Sequence, residues 1–101
     1  MPAVIYAVTV TVDPAAAEGW ARWMVDVHMP EVVATGFFDD AIFYRHAGAD
    51  GASPTFEIHY LTTDLDRLGR YQAEAAPALQ RDHTQRYGGQ ASASRRVLVG
   101  P

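Results

Sequence analysis

Three of the four histidines in this 101-residue chain stand in patterns that could be used chemically near neutral pH. His28 lies in "VHMPEVVATGFF", two residues ahead of Pro30. Its imidazole could act as a general acid or base at the mouth of a pocket between a helix and a sheet. The favoured account is structural: a histidine near a helix C-terminus suits the macrodipole, Pro30 stops the helix and can start a short following turn, and Gly36 takes the left-handed cap before the next strand. His83 falls four residues after Leu79 and four before Tyr87, on the stripe that should face a sheet. There it could take a proton from a bound substrate or ligate a haem iron, or it could be a core histidine satisfied by backbone or tyrosine partners. His59 shares a strand face with Glu57 and, across a hairpin, with Arg45, which suits either an acid-base site shared by two subunits or a charged network that fixes dimer register. His46 opens a loop and is expected to be solvated.

The aromatics Tyr6, Trp20, Trp23, Tyr44, Phe56 and Tyr60 could line a cavity for a flat apolar ligand or simply fill a core. Tyr6 and Tyr60 carry hydroxyls that need partners once buried, and such groups orient ligands. The candidate ligand-binding set is therefore Tyr6, Trp23, Tyr60 and His83, with His83 and His28 as the candidate catalytic groups. The chain has no cysteine, so thiolate metal sites and thiol nucleophiles are excluded. It has no Gly-rich phosphate loop, no G-x-S-x-G and no His-Glu-x-x-His, and the pair His28-x-x-Glu31 is interrupted by a proline. No metal and no cofactor are expected.

The elements that must position these groups follow from periodicity. "AVIYAVTVTV", residues 3–12, alternates at period two and is rich in β-branched residues, so it reads as a strand. "DPAAAEGWARWMVDVH" has Asp13 as N-cap and Pro14 at the first helical position, with Trp20, Trp23, Met24 and Val27 on one helical face. A second strand runs from about Phe38 to His46, "HAGADGASP" is a turn-rich loop, and "TFEIHYLT" is the returning strand. Placing Arg45 opposite Glu57 sets opposite charges face to face and puts Tyr44 beside Ile58 and Ile42 beside Tyr60. From the N-cap Asp64 a helical stripe runs through Leu65, Leu68, Gln72, Ala75, Ala76, Leu79, His83 and Tyr87, kinked by Pro77 and ended by Gly88-Gly89. "ASASRRVLV" is the last strand.

This order, β-α-β-β-α-β in residues 1–101 taken as a single domain, is the α+β ferredoxin-like motif: a four-stranded antiparallel sheet with both helices on one face. The helix side should receive Tyr6, Val8, Val10, Ile42, Tyr44, Phe56, Ile58 and Tyr60. The opposite face then presents Ile5, Ala7, Thr9, Phe43, Arg45, Glu57, His59, Leu61, Arg96 and Leu98. Four strands of ordinary length give that face a projected area of about 400 Å², and side-chain relief brings it near the ~800 Å² per partner of a standard interface. A two-fold homodimer closing into a dimeric α+β barrel is the economical cover, with Phe43, Arg45, Glu57, His59 and Leu61 on the dimer face.

Eight basic residues, all Arg, against twelve acids give a net charge of -4, which argues against nucleic acid as a partner. No apolar run is long enough to span a membrane, and the first twelve residues read as a strand rather than a secretory signal, so a cytoplasmic protein is expected.

With that order in place the sequence resembles a bacterial family of unassigned role, Domain of Unknown Function 4286, within the dimeric α+β barrel group. The resemblance rests on "IYAVTVTVDP", "HMPEVVATGFF", the series Tyr71, Pro77, Leu79 and Tyr87-Gly88, and "SRRVL". Relatives often carry a charged residue after the first-strand tyrosine where this chain has Ala7, and no functional residue is transferred. The wider group contains cofactor-free oxygenases of polyketide quinones, lactone isomerases, haem-degrading enzymes and ligand-sensing domains, and the fold does not choose among them. The resemblance implies a small-molecule-binding or accessory protein taking a small apolar or aromatic ligand. The alternatives are a cofactor-independent oxygenase, isomerase or cyclase acting on an aromatic or polyketide-like substrate and, more remotely, a haem-binding or haem-degrading protein.

Overall fold

The β-branched run near the start forms β1 (Val4–Val12), the strand around which the others assemble. A computed structural model describes residues 3–48 and 54–101; most of the turn expected in "HAGADGASP", together with Met1 and Pro2, lies outside the described residues. After β1 come α1 (Pro14–Trp23), a π-helical turn (Met24–His28), α2 (Met29–Ala34), β2 (Asp40–Arg45), β3 (Thr55–Thr62), α3 (Leu65–Glu74), α4 (Ala76–Tyr87) and β4 (Ala91–Val99). The sheet order is β2-β3-β1-β4 with every neighbour antiparallel. This is the α+β ferredoxin-like arrangement.

Local chemistry sets the boundaries as expected at several points. Asp13 Oδ1 accepts from the Ala15 amide at 2.9 Å and Asp64 Oδ1 from the Arg67 amide at 2.8 Å, each satisfying an otherwise orphaned N–H of a first turn. Gly36 ends α2 at φ 87°, a conformation that only glycine adopts without strain. Ala75 separates α3 from α4, with Pro77 in the first turn of α4, where its missing N–H costs nothing.

Two expectations are corrected. Pro30 does not stop the first helix. The chain widens into the π turn, in which the Met29 N–H reaches Met24 O, and continues as α2 with Pro30 in its first turn. The wide turn accommodates a proline whose ring would otherwise crowd the carbonyl four residues back. It also inserts one residue into the helical phase, so the buried positions run Trp20, Trp23, Met24, His28, Met29 and Val32, while Val27, expected on the inner face, is 37% exposed.

The hairpin register is shifted by one residue from the expected pairing. Tyr44, not Arg45, lies opposite Glu57; Phe43 is opposite Ile58, Ile42 opposite His59 and Arg45 opposite Phe56. Because side chains alternate across a strand, a one-residue shift exchanges the faces. Phe43 and Arg45 therefore belong to the helix-covered face and Ile42 and Tyr44 to the open one. Packing explains the choice: the Phe43 ring meets Trp20 at 6.0 Å and Phe56 at 5.4 Å between centroids, a gain in buried aromatic contact that a single Arg–Glu pair on a wet surface does not match.

Candidate functional site

Under the helices, the fourth strand is lined with little bulk. Its covered-face positions begin with Ala91 and Ala93, opposite Val12 and Val10 of β1, and Pro77 breaks the helical layer above. A cavity of about 320 Å³ remains between sheet and helices, at the lower end of the roughly 300–1,000 Å³ of ligand sites. Its walls include Tyr6, Tyr60, Tyr71, His28, His83 and Arg95, with Val8, Met24, Leu79 and Ala93 supplying apolar surface. Three of the four candidate ligand residues are thus brought together. Trp23 is the exception: it lies behind the cavity, its ring 4.9 Å from His28 and 5.9 Å from His83.

The π turn is what brings His28 to this wall. His28 is 9% exposed, and its Nδ1 is buried without a hydrogen-bond partner among the described residues. Burial disfavours the imidazolium, and with His83 nearby the pKa falls to about 4, Asp82 opposing weakly. The ring is neutral at physiological pH.

His83 is also held neutral, chiefly by burial, with Arg95 adding to the effect. Its tautomer follows from one contact. The Trp20 Nε1–H, which can only donate, reaches His83 Nε2 at 2.9 Å. Nε2 must therefore present its lone pair, and the proton of the neutral ring sits on Nδ1. A haem-ligating role through Nε2 would require that bond to be given up.

Three phenols from three elements complete the wall: Tyr6 on β1, Tyr60 on β3 and Tyr71 on α3. Burial raises all three pKa values, that of Tyr71 to about 12, and Tyr60 is raised further by its two neighbouring phenols. All three are therefore neutral donors. The Arg95 guanidinium pulls the Tyr6 value back toward normal, as a cation close to a phenol does. Arg95 projects to the covered face because it pairs with Val8, and it forms no ion pair with a carboxylate among the described residues.

Sequence reasoning missed Tyr71 and Arg95 as site residues. Tyr71 follows Leu68 by three and is buried where Gln72 was expected to be. Arg95 is recognisable from parity, since Arg96 and Leu98 lie on the open face as expected and the residue between Ser94 and Arg96 must point the other way.

On the open face Glu57, His59 and Leu61 lie where the alternation placed them. Glu57 gathers more partners than expected: His59 Nε2 at 2.6 Å, His46 Nε2 at 3.0 Å, Arg96 Nη2 at 3.2 Å and Thr9 Oγ1 at 3.4 Å. The hydrogen bonds from His59 and His46 hold its pKa at about 2, with Arg96 contributing. A carboxylate so ionised only accepts, so both imidazoles donate from Nε2. His46, expected to be merely solvated, belongs to this cluster, and Arg96 takes the place foreseen for Arg45. The Tyr44 ring lies 5.1 Å from His59. Among the described residues no three His, Cys, Asp or Glu side chains are arranged to hold a metal ion.

A four-stranded antiparallel sheet with helices on one face and a pocket beneath them defines the α+β ferredoxin-like fold. Residues 3–100 match the family described as Domain of unknown function (DUF4286), and the chain belongs to it. Among solved structures it is similar to a dimeric ferredoxin-like protein from an uncultured marine organism, at 12% identity over 98% of this chain and 95% of that one, TM-score 0.72. It is similar to HapK from Hahella chejuensis at 13% identity, 97% and 92% coverage and TM-score 0.70. SnoaB from Streptomyces nogalater, a cofactor-independent oxygenase, shares 15% identity over 97% and 93% of the two chains, TM-score 0.64. No curated protein matches the sequence. Among the described residues no helix is long and apolar enough to cross a membrane.

Proposed function

We propose that this chain is a homodimeric small-molecule-binding protein whose ligand occupies the cavity under α4. The observation that carries the reading is the convergence of two neutral histidines, His28 and His83, with phenols from three separate elements on one concave wall. Polar groups on a wall that an occupant covers cost roughly 1–3 kcal/mol each if left without partners, so such a wall favours a ligand that is apolar in its body and carries polar atoms to meet them. Ala93→Leu tests this. The new side chain fills the cavity from an open edge strand, so the protein should remain folded while thermal-shift responses to flat aromatic compounds vanish. Responses unchanged by Ala93→Leu would place the binding site elsewhere.

Dimerisation through the open face belongs to the same reading. Ile42, Tyr44 and Leu98 are 37%, 45% and 41% exposed on that face, around the Glu57 cluster, which suits an apolar interface with a polar network fixing its register. Light scattering behind a sizing column should give twice the chain mass; a monomer at micromolar concentration would remove the barrel.

A second reading, a cofactor-independent oxygenase, isomerase or cyclase, is favoured by the tautomer of His83 and the neutral state of His28. With its Nε2 lone pair taken by Trp20, His83 can offer only the Nδ1 proton, which leaves the neutral His28 of the same wall, acting through Nε2, as the candidate base beside three neutral phenols. SnoaB, which shares the fold, is a cofactor-independent oxygenase. Exchange of the acidic carbon-bound protons of 2-tetralone for deuterium should be accelerated by the protein and not by His28→Gln. No acceleration leaves the binding role alone.

A further inference from the structure

We infer that the cavity takes a planar aromatic monoanion, its carboxylate clamped by Arg95 and its ring seated among Tyr6, Tyr60 and Tyr71. This rests on the cavity being the ligand site and specifies what enters it. Among the described residues Arg95 is the one cationic side chain in the wall, since both histidines there are held neutral. It stands on the helix-covered face of β4, is itself exposed, and has no carboxylate partner among the described residues. The guanidinium thus stands at the cavity wall beside the Tyr6 hydroxyl, which leans on it, with its charge unpaired by any carboxylate among the described residues; such a planar fork meets a carboxylate with two parallel hydrogen bonds.

The charge count selects a monoanion. Among the described residues no carboxylate lines the cavity to repel an anion, and no second cation lines it to balance the second charge of a phosphate. The shape of the wall selects an aromatic ring. Tyr6 lies 6.1 Å from Tyr71 and 6.3 Å from Tyr60 between ring centroids, and Met24 and Leu79 add polarisable and aliphatic surface. The phenol hydroxyls and the His83 Nδ1–H are donors suited to a hydroxyl or carbonyl oxygen on the same ring system.

The test compares 2-naphthoate with its neutral isostere 2-naphthamide, and with 2-naphthyl phosphate, by titration calorimetry on the full chain, its Arg95→Gln variant and an Arg22→Gln control. Naphthoate should bind at least about tenfold more tightly than the amide, a difference of 1.4 kcal/mol. Arg95→Gln should erase that preference and Arg22→Gln should keep it. If acid and amide bind equally and Arg95→Gln changes neither, the anion clamp is overturned while the cavity stands as a site. If the phosphate binds more tightly than the carboxylate, the monoanion assignment is overturned. If none of the three binds at millimolar concentration, the cavity reading falls together with the clamp.

Discussion

Trp20 and His83, sixty-three residues apart in sequence, are joined by an indole-to-imidazole hydrogen bond of 2.9 Å that decides which nitrogen of His83 carries the proton. The indole favours the neutral ring by occupying its lone pair. In nitrogen-15 spectra of the wild-type protein, His83 should show an unprotonated Nε2 and a protonated Nδ1. Trp20→Phe removes the donor, so the ring should become a tautomer mixture and its pKa should rise. The variant should also lose about 1–3 kcal/mol of stability, because Trp20 is fully buried. A protonated Nε2 in the wild type would contradict the assignment and reopen His83 as a base.

His28 gives the fold a pH dependence with a definite sign. Its folded pKa of about 4 lies below the ordinary 6.5, so between these values the unfolded chain binds more protons than the folded one, and stability rises with pH. The contribution is complete above about pH 6.5 and is lost as the pH falls through about 4; from the shift it is on the order of 3 kcal/mol. Urea unfolding from pH 4 to 7 should show this slope, and His28→Gln should flatten most of it. A residual slope of the same sign should remain from His83, also held neutral by burial. Equal slopes in wild type and variant would mean that His28 is not buried neutral.

The register of β2 separates folding from association. Ile42→Asp places a charge on the open face opposite His59 and should dissociate the proposed dimer while leaving the monomer folded. Phe43→Ala, one residue on, removes a half-buried ring packed on Trp20 and Phe56. It should cost about 2 kcal/mol, below the range for a fully buried phenylalanine, with association unchanged. Sedimentation equilibrium and urea unfolding on the two variants read both effects. A reversed pattern would restore the pairing of Arg45 with Glu57.

What the sequence made legible was set by signals that act over a few residues. The alternation of β1, the caps at Asp13 and Asp64, the break at Pro77 and the left-handed Gly36 are local, and each follows from sterics or a single hydrogen bond. The order of elements then leaves few topologies. The hairpin register was lost because both parities of β2 carry apolar residues, Ile42 and Tyr44 on one side and Phe43 on the other. The choice between them belongs to Trp20 and Phe56, which are distant in sequence. His83 and Tyr6 fell on the cavity wall because their helix and strand kept an ideal period. Arg95 was overlooked in a strand of mixed alternation, and the Trp20–His83 bond, a purely tertiary contact, left no trace in local spacing.

The burial of His28 depends on the extra residue that the π turn adds, and this can be separated from the proline that accompanies it. In an unbroken α-helix, Val27 would follow Trp20 and Met24 on the inner face; the wide turn puts His28 there instead. Deleting Val25 returns His28 to the inner phase of a regular helix, but the Pro30 ring then meets the carbonyl four residues back. That deletion alone should cost about 3 kcal/mol. Combined with Pro30→Ala it should come within about 1 kcal/mol of wild type, because the replacement restores both the N–H and the space. The favourable coupling between the two changes, measured by urea unfolding as a double-mutant cycle, would show that the proline and the wide turn compensate each other. Additive losses would mean that the turn is held by the packing of Met24, His28 and Met29 against the sheet, with Pro30 a bystander.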